Sequence, residues 1–192
     1  MEENKKEMPV DKAKYVLKET VSWAVIIVAA VAIALFLTNY VIFKAVVPTG
    51  SMNDTIMEED KLIGNRLFKN VDRGDIVIFP QPDWQPSYGV PRDYYVKRVI
   101  GLPGETVEVK DGAVYINGTI LKEDYLKEEM LNFGAGTYEV PDGCYFCMGD
   151  NRNHSGDARF WTNKYITKDD ITAKVMFRYS PSVKWFKKPI YE

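Results

Sequence analysis

One long apolar run followed by a series of short ones divides the chain. From Thr20 to Phe43, TVSWAVIIVAAVAIALFLTNYVIF, there is no charged residue. A helix of that length, rising about 1.5 Å per residue, is about 36 Å long and crosses the hydrocarbon core of a bilayer. It satisfies every backbone N–H and C=O internally, as lipid requires, and Trp23 and Tyr40 fall where aromatic side chains favour the two interfaces. Lys5, Lys6, Lys12, Lys14 and Lys18 precede the run, whereas only Lys44 and Lys61 follow soon after. The positive-inside tendency, which gives acidic residues little weight, predicts a cytoplasmic N-terminus and an extracytoplasmic remainder. YVIFKAVVP offers no A-x-A-like cleavage site directly after the run, so an uncleaved signal-anchor is expected.

Beyond the run the period shortens. KLIGNRLF, GDIVIF, DYYVKRVIGL, TVEVK, AVYING and CYFCMGD are β-branched or aromatic segments bounded by Gly, Pro, Asp and Asn, which predicts strands. Asp111-Gly112 and Asn117-Gly118 supply the positive φ angles of tight turns and predict a hairpin over residues 106–121. PQPDWQPSYGVPRD, residues 80–93, holds four prolines and predicts a loop. KEDYLKEEMLNFGAG suggests one short helix ended by Gly134, although its apolar spacing is irregular. The strands come too close together for intervening helices, so the fold class expected is mainly β, with mixed or antiparallel sheets and one N-terminal transmembrane helix. The expected division is a cytoplasmic segment 1–19, the anchor 20–43 and a β domain 44–192 carrying a hairpin insertion at about 106–140.

Composition narrows the function classes. The chain has 192 residues, 46% hydrophobic, and a formal net charge of −2, which disfavours nucleic acid as a partner. A single histidine, His154, leaves H-E-x-x-H zinc chemistry without its second ligand, and no metal or nucleotide-cofactor motif is present. Cys144 and Cys147 form a C-x-x-C, but within a strand their side chains face opposite ways and their Cα atoms lie about 10 Å apart, beyond the roughly 7 Å reach of a disulfide.

Serine hydrolysis is the remaining chemistry. Ser51 lies in PTGSMNDTI, without a G-x-S-x-G elbow or an S-x-x-K, so its base must come from elsewhere in the chain. The candidates are His154, which would need a carboxylate to orient it, and Lys97 in the apolar segment YYVKRVIG. Strand alternation sends Lys97 and Arg98 to opposite faces, so that one is buried while the other reaches solvent. MGDNRNHSGDAR adds a dense polar loop in which Asp150, Arg152, Asp157 and Arg159 allow internal ion pairs beside Ser155.

Taken together, PTGSM, GDIVIF, YYVKRVIGLPGE and MGDNRNHSGDAR, in this order after an N-terminal span, resemble the type I signal peptidases of bacteria across residues 20–180. The resemblance implies a membrane-anchored endopeptidase without metal or cofactor, in which Ser51 is the nucleophile and Lys97 the general base. It implies that Thr49, where the family has serine, joins the Ser51 backbone N–H in the oxyanion hole. Ser155 matches the serine that hydrogen-bonds the lysine, and Asp157 with Arg159 matches a supporting ion pair. The implied partners are preprotein signal peptides, lying near the secretion translocon and the lipid bilayer. Such a peptide adds as a strand against Val47, Pro48, Met52, Ile56, Leu62, Tyr95 and Val96. Asn53 and Asp54 stand where the family usually has proline, which bears on loop stiffness alone. Two further readings fit the same residues: a self-cleaving Ser-Lys peptidase of the repressor type, and an anchored binding domain without catalysis.

Overall fold

The computed structural model describes residues 10–82, 94–186 and 188–189. Most of the proline-rich segment 80–93 and the last residues of the chain lie outside that range. The chain divides into two compact units, Met1–Val41 and Ile42–Glu192.

Among its described residues the first unit is one helix. α1 spans Val10–Phe36 and continues through a π turn, Leu37–Val41, so Lys14–Val41 is long enough to cross a membrane and contains an 18-residue window of mean hydropathy 2.6. The large apolar side chains described along it, Trp23, Ile27, Val28 and Phe36 among them, are exposed. An exposed apolar surface on all sides is the mark of a helix made for lipid rather than for a soluble core. Ile42 and Phe43, placed in the anchor by composition, instead open the first strand.

The second unit is mainly β, built from β1 (Ile42–Val46), β2 (Lys61–Asn65), β3 (Ile76–Pro80), β4 (Tyr94–Gly101), β5 (Thr106–Lys110), β6 (Ala113–Ile116), β7 (Thr119–Ile120), β8 (Gly136–Glu139), β9 (Cys144–Met148), β10 (Ile166–Thr167), β11 (Ala173–Ser180) and β12 (Lys184–Trp185). The larger sheet runs β1-β2-β11-β3-β4-β9-β10, with β12 on β11, and the smaller runs β7-β6-β5-β8. Every strand pairing among the described residues is antiparallel.

The predicted hairpin forms as β5-β6, with β7 added after a second tight turn, and the turn residues take the left-handed backbone, with φ of 52° at Asp111 and 71° at Gly112 in the first turn and 50° at Asn117 and 82° at Gly118 in the second. The helix suggested for residues 122–136 is absent. Turns and bends replace it, and they fold the segment so that Glu123 and Met130, about 10 Å apart along a helix at 1.5 Å per residue, both meet Arg152 Nη1.

β3 separates two cores by simple alternation. Val77 and Phe79 enter a large cluster with Val99, Val107, Phe146 and Trp161, while Ile76 and Ile78 enter a small one with Val47, Met52, Ile56, Leu62 and Val96. Each fully buried aliphatic or aromatic side chain contributes roughly 1.5–3 kcal/mol of transfer free energy, so both clusters are substantial anchors. β4 runs beside β3 between them and carries Val96 and Lys97.

Candidate active site

Ser51 occupies a single 3-10 turn, Gly50–Met52, between β1 and β2. The turn is held from below by Met52, fully buried in the small core. The residues flanking it are tied down by backbone bonds: Val47 N–H donates to Asp60 O at 3.0 Å, Glu59 N–H to Val47 O at 2.8 Å and Ile56 N–H to Met52 O at 2.9 Å. Gly50 is confined, since a Cβ there would lie 2.8 Å from Asn53 Nδ2 and 3.0 Å from the Glu58 carboxylate.

Lys97 reaches the turn from β4. Its Nζ lies 2.7 Å from Ser51 Oγ, 46 residues away in sequence, and the side chain is buried. Among the described residues Lys97 has no ion-pair partner. Removal from water disfavours the ammonium, and this desolvation lowers the amine pKa from 10.5 to about 8, outweighing the opposing pull of Asp157 and Asp150. The lysine's strand-face neighbour Tyr95 presents its ring 5.2 Å from Nζ and stacks on Trp161 with centroids 5.4 Å apart. Phe79 meets both rings edge-on.

Arg98 does not reach solvent, contrary to the simple reading of alternation. It is as buried as Lys97, because the second face of β4 is covered too, and Asp150 neutralises it through paired bonds of 2.8 and 2.6 Å. The polar loop accordingly pairs differently from its sequence order. Asp157 and Arg159 do bind each other, at 2.8 and 2.9 Å, whereas Arg152 takes Glu123 as its partner at 2.6 and 2.5 Å. Ser155 Oγ is buried and makes no hydrogen bond, so the contact to Lys97 implied by resemblance is not formed. His154 is exposed.

This loop grips the Ser51 turn. Asn151 N–H donates to Ser51 O at 3.1 Å and its side-chain amide donates to Gly50 O at 3.0 Å. Gly149 fits where no side chain does, with Ser51 O and the Ser155 hydroxyl both occupying the space a Cβ would take. Gly149, Asn151, Glu123 and Trp161 were not singled out from sequence. Only the glycine, sitting in a strand-to-loop junction, carried a local signal.

A cleft of about 170 Å³ opens over Ser51 and Lys97, lined by Val47, Pro48, Thr49, Met52, Tyr94, Tyr95 and Val96. Ile56 and Leu62 lie in the small core and do not line it. Thr49 Oγ1 stands 3.4 Å from Ser51 Oγ on the open side. β9 pairs with β4 only from Arg98 onward and does not extend along Tyr94–Lys97, whose other side pairs with β3.

Residues 20–180 match the family described as signal peptidase, peptidase S26. The chain belongs to that family. Curated signal peptidases agree over most of its length. A probable signal peptidase I-1 of Synechocystis sp. is 34% identical over 164 residues, covering 83% of this chain and 82% of that protein. Signal peptidase I P of Bacillus subtilis subsp. natto is 38% identical over 171 residues, covering 83% and 88%. A crystal structure of a signal peptidase I from Enterococcus faecalis V583 is 34% identical with a TM-score of 0.46, covering 56% of this chain and 97% of that one. The protein is therefore a peptide hydrolase with signal peptidase I function, and its family accounts for an apolar N-terminal helix joined to a mainly antiparallel β unit.

Proposed function

We propose that the protein removes N-terminal signal peptides from secreted preproteins at the outer face of the cytoplasmic membrane, with Ser51 as nucleophile and Lys97 as general base. The observation that carries this reading is the 2.7 Å contact between Ser51 Oγ and a buried lysine amine whose pKa is lowered to about 8. A neutral amine accepts the hydroxyl proton as Oγ attacks the scissile carbonyl, and the resulting ammonium delivers a proton to the departing amine. The acyl-serine ester is then hydrolysed by water that Lys97 deprotonates in turn. The backbone N–H of Ser51 and the Thr49 hydroxyl receive the oxyanion, where a fixed donor is typically worth about 10²–10³ in rate. Asp157 and Arg159 support the loop, and Ser155 flanks it across Gly149.

The cleft beside Val47, Pro48, Met52, Tyr95 and Val96, next to the Tyr94–Lys97 stretch of β4 along which β9 does not extend, supports docking of an extended substrate as an added strand. The shallow cleft suits small residues before the cut. We read segment 1–19 as cytoplasmic, the apolar helix as an uncleaved anchor and the β unit from residue 44 onward as extracytoplasmic, near the translocon. Holding enzyme and substrate in one bilayer raises their effective concentration.

The test uses the full chain in detergent with a preprotein substrate. Ser51→Ala and Lys97→Ala each lose at least about a thousandfold in cleavage while the unfolding transition stays cooperative. Normal processing by either variant overturns the dyad, and self-cleavage without preprotein cleavage overturns the substrate assignment.

A further inference from the structure

The segment 121–135 forms neither strand nor helix, yet its polar groups are anchored in succession on the loop 149–159. Glu123 receives both terminal nitrogens of Arg152, and the two side chains are 5% and 1% exposed. The Tyr125 hydroxyl donates to the same carboxylate, and its ring lies 4.0 Å from the Arg98 guanidinium. Asn153 donates to Glu128 Oε1 and Glu129 O at 3.0 Å each, and Arg159 donates to Phe133 O at 3.3 Å. A carboxylate buried this deeply costs several kcal/mol unless a cation and further donors meet it. Here both conditions hold, in a segment without a backbone ladder of its own.

Arg152 carries the effect inward. Its Nε donates to Gly149 O at 3.0 Å, while Gly149 N–H donates to Asp157 at 3.0 Å, so one peptide unit after another at this position is fixed by a buried ion pair. Gly149 lies against the Ser51 carbonyl, and Asn151, two residues on, binds that same carbonyl. The position of the nucleophile's turn thus depends on the loop register, which Arg152 sets, and Arg152 is itself held by Glu123. We infer that Glu123 is a positioning residue for the peptidase reaction, acting through Arg152 and Gly149 on the Ser51 turn; the inference rests on Ser51 as nucleophile. Glu123 does not line the cleft, so its contribution is to the geometry of attack and not to substrate binding.

Two variants of the full chain decide it, each measured for thermal unfolding and for kcat and KM on a preprotein. Glu123→Gln leaves a buried guanidinium without its anion and lowers kcat by about ten- to a hundredfold, with KM within about twofold. The double variant E123L/R152M replaces the buried pair by apolar side chains. It recovers the unfolding temperature, but kcat stays at least about tenfold low, because Gly149 O has lost its donor. A purely structural role predicts instead that kcat returns together with stability. Wild-type kcat in either folded variant overturns the inference, and where Glu123→Gln fails to fold the double variant alone decides. Ser51→Ala is assayed alongside. Its loss of cleavage beside normal turnover in the Glu123 variants defeats this inference only, whereas retained cleavage in Ser51→Ala defeats the dyad.

Discussion

Lys97 and Arg98 are consecutive on β4 and nearly equally buried, at 3% and 2% exposure, but the fold treats the two cations in opposite ways. Arg98 meets both oxygens of Asp150, donates a third bond to Gly74 O at 2.9 Å and lies over the Tyr125 ring. Lys97 is given an apolar wall, a neighbouring aromatic stack and the Ser51 hydroxyl. A guanidinium does not lose its proton in a protein, so burying it requires an anion. An amine does lose its proton, so burial without an anion turns it into a base that works near neutral pH. One face of the strand thereby holds a paired cation and the other, in the proposed dyad, a base, with the residue order Lys-Arg deciding which face receives which group.

The contrast makes three predictions of decreasing size. Arg98→Leu leaves Asp150 buried without its cation and lowers unfolding free energy by about 3–5 kcal/mol in denaturant titrations, whereas Arg98→Leu combined with Asp150→Leu recovers most of the loss. Lys97→Met acts in the opposite sense. The lysine's folded pKa of about 8 lies below its ordinary 10.5, so between these values the unfolded chain holds the extra proton and stability rises with pH. Below that window the buried ammonium costs about 3 kcal/mol, and Lys97→Met gains about that much at acidic pH, the gain fading as the pH rises. A variant no more stable than wild type at pH 6 would contradict the unpaired character of Lys97. The smallest effect is kinetic: kcat/KM for preprotein cleavage falls about tenfold per pH unit below a limb near pH 8 as the amine takes up its proton. A flat profile across that range would show that Lys97 does not titrate in the rate-determining step.

The same contrast shows what sequence makes legible. Period and turn dipeptides report on neighbours, so β2 to β6, β9 and the hairpin were readable one segment at a time. Ser51 and Lys97 were readable because each is an unusual residue in its own setting, a serine beside glycine in a turn and a lysine among aliphatic residues. Alternation says that Lys97 and Arg98 face opposite ways, but not that both faces are covered. Asp150 and Glu123 meet their arginines across separations of 52 and 29 residues, which local pattern does not report. β11, although it pairs with both β2 and β3 in the larger sheet, was not picked out among residues of mixed polarity. The helix suggested around residues 122–136 failed for the related reason that local propensity yielded to partners outside the segment.

Cys144 and Cys147 are both free, and they differ as strand alternation requires: Cys144 is half-buried, while Cys147 is sealed in the large core, where burial pushes its thiol pKa up and keeps it protonated. Neither joins the other, so no covalent cross-link contributes to the β unit. The β unit consequently offers a reductant no disulfide to break. A thiol reagent therefore meets the half-buried Cys144 before it meets Cys147.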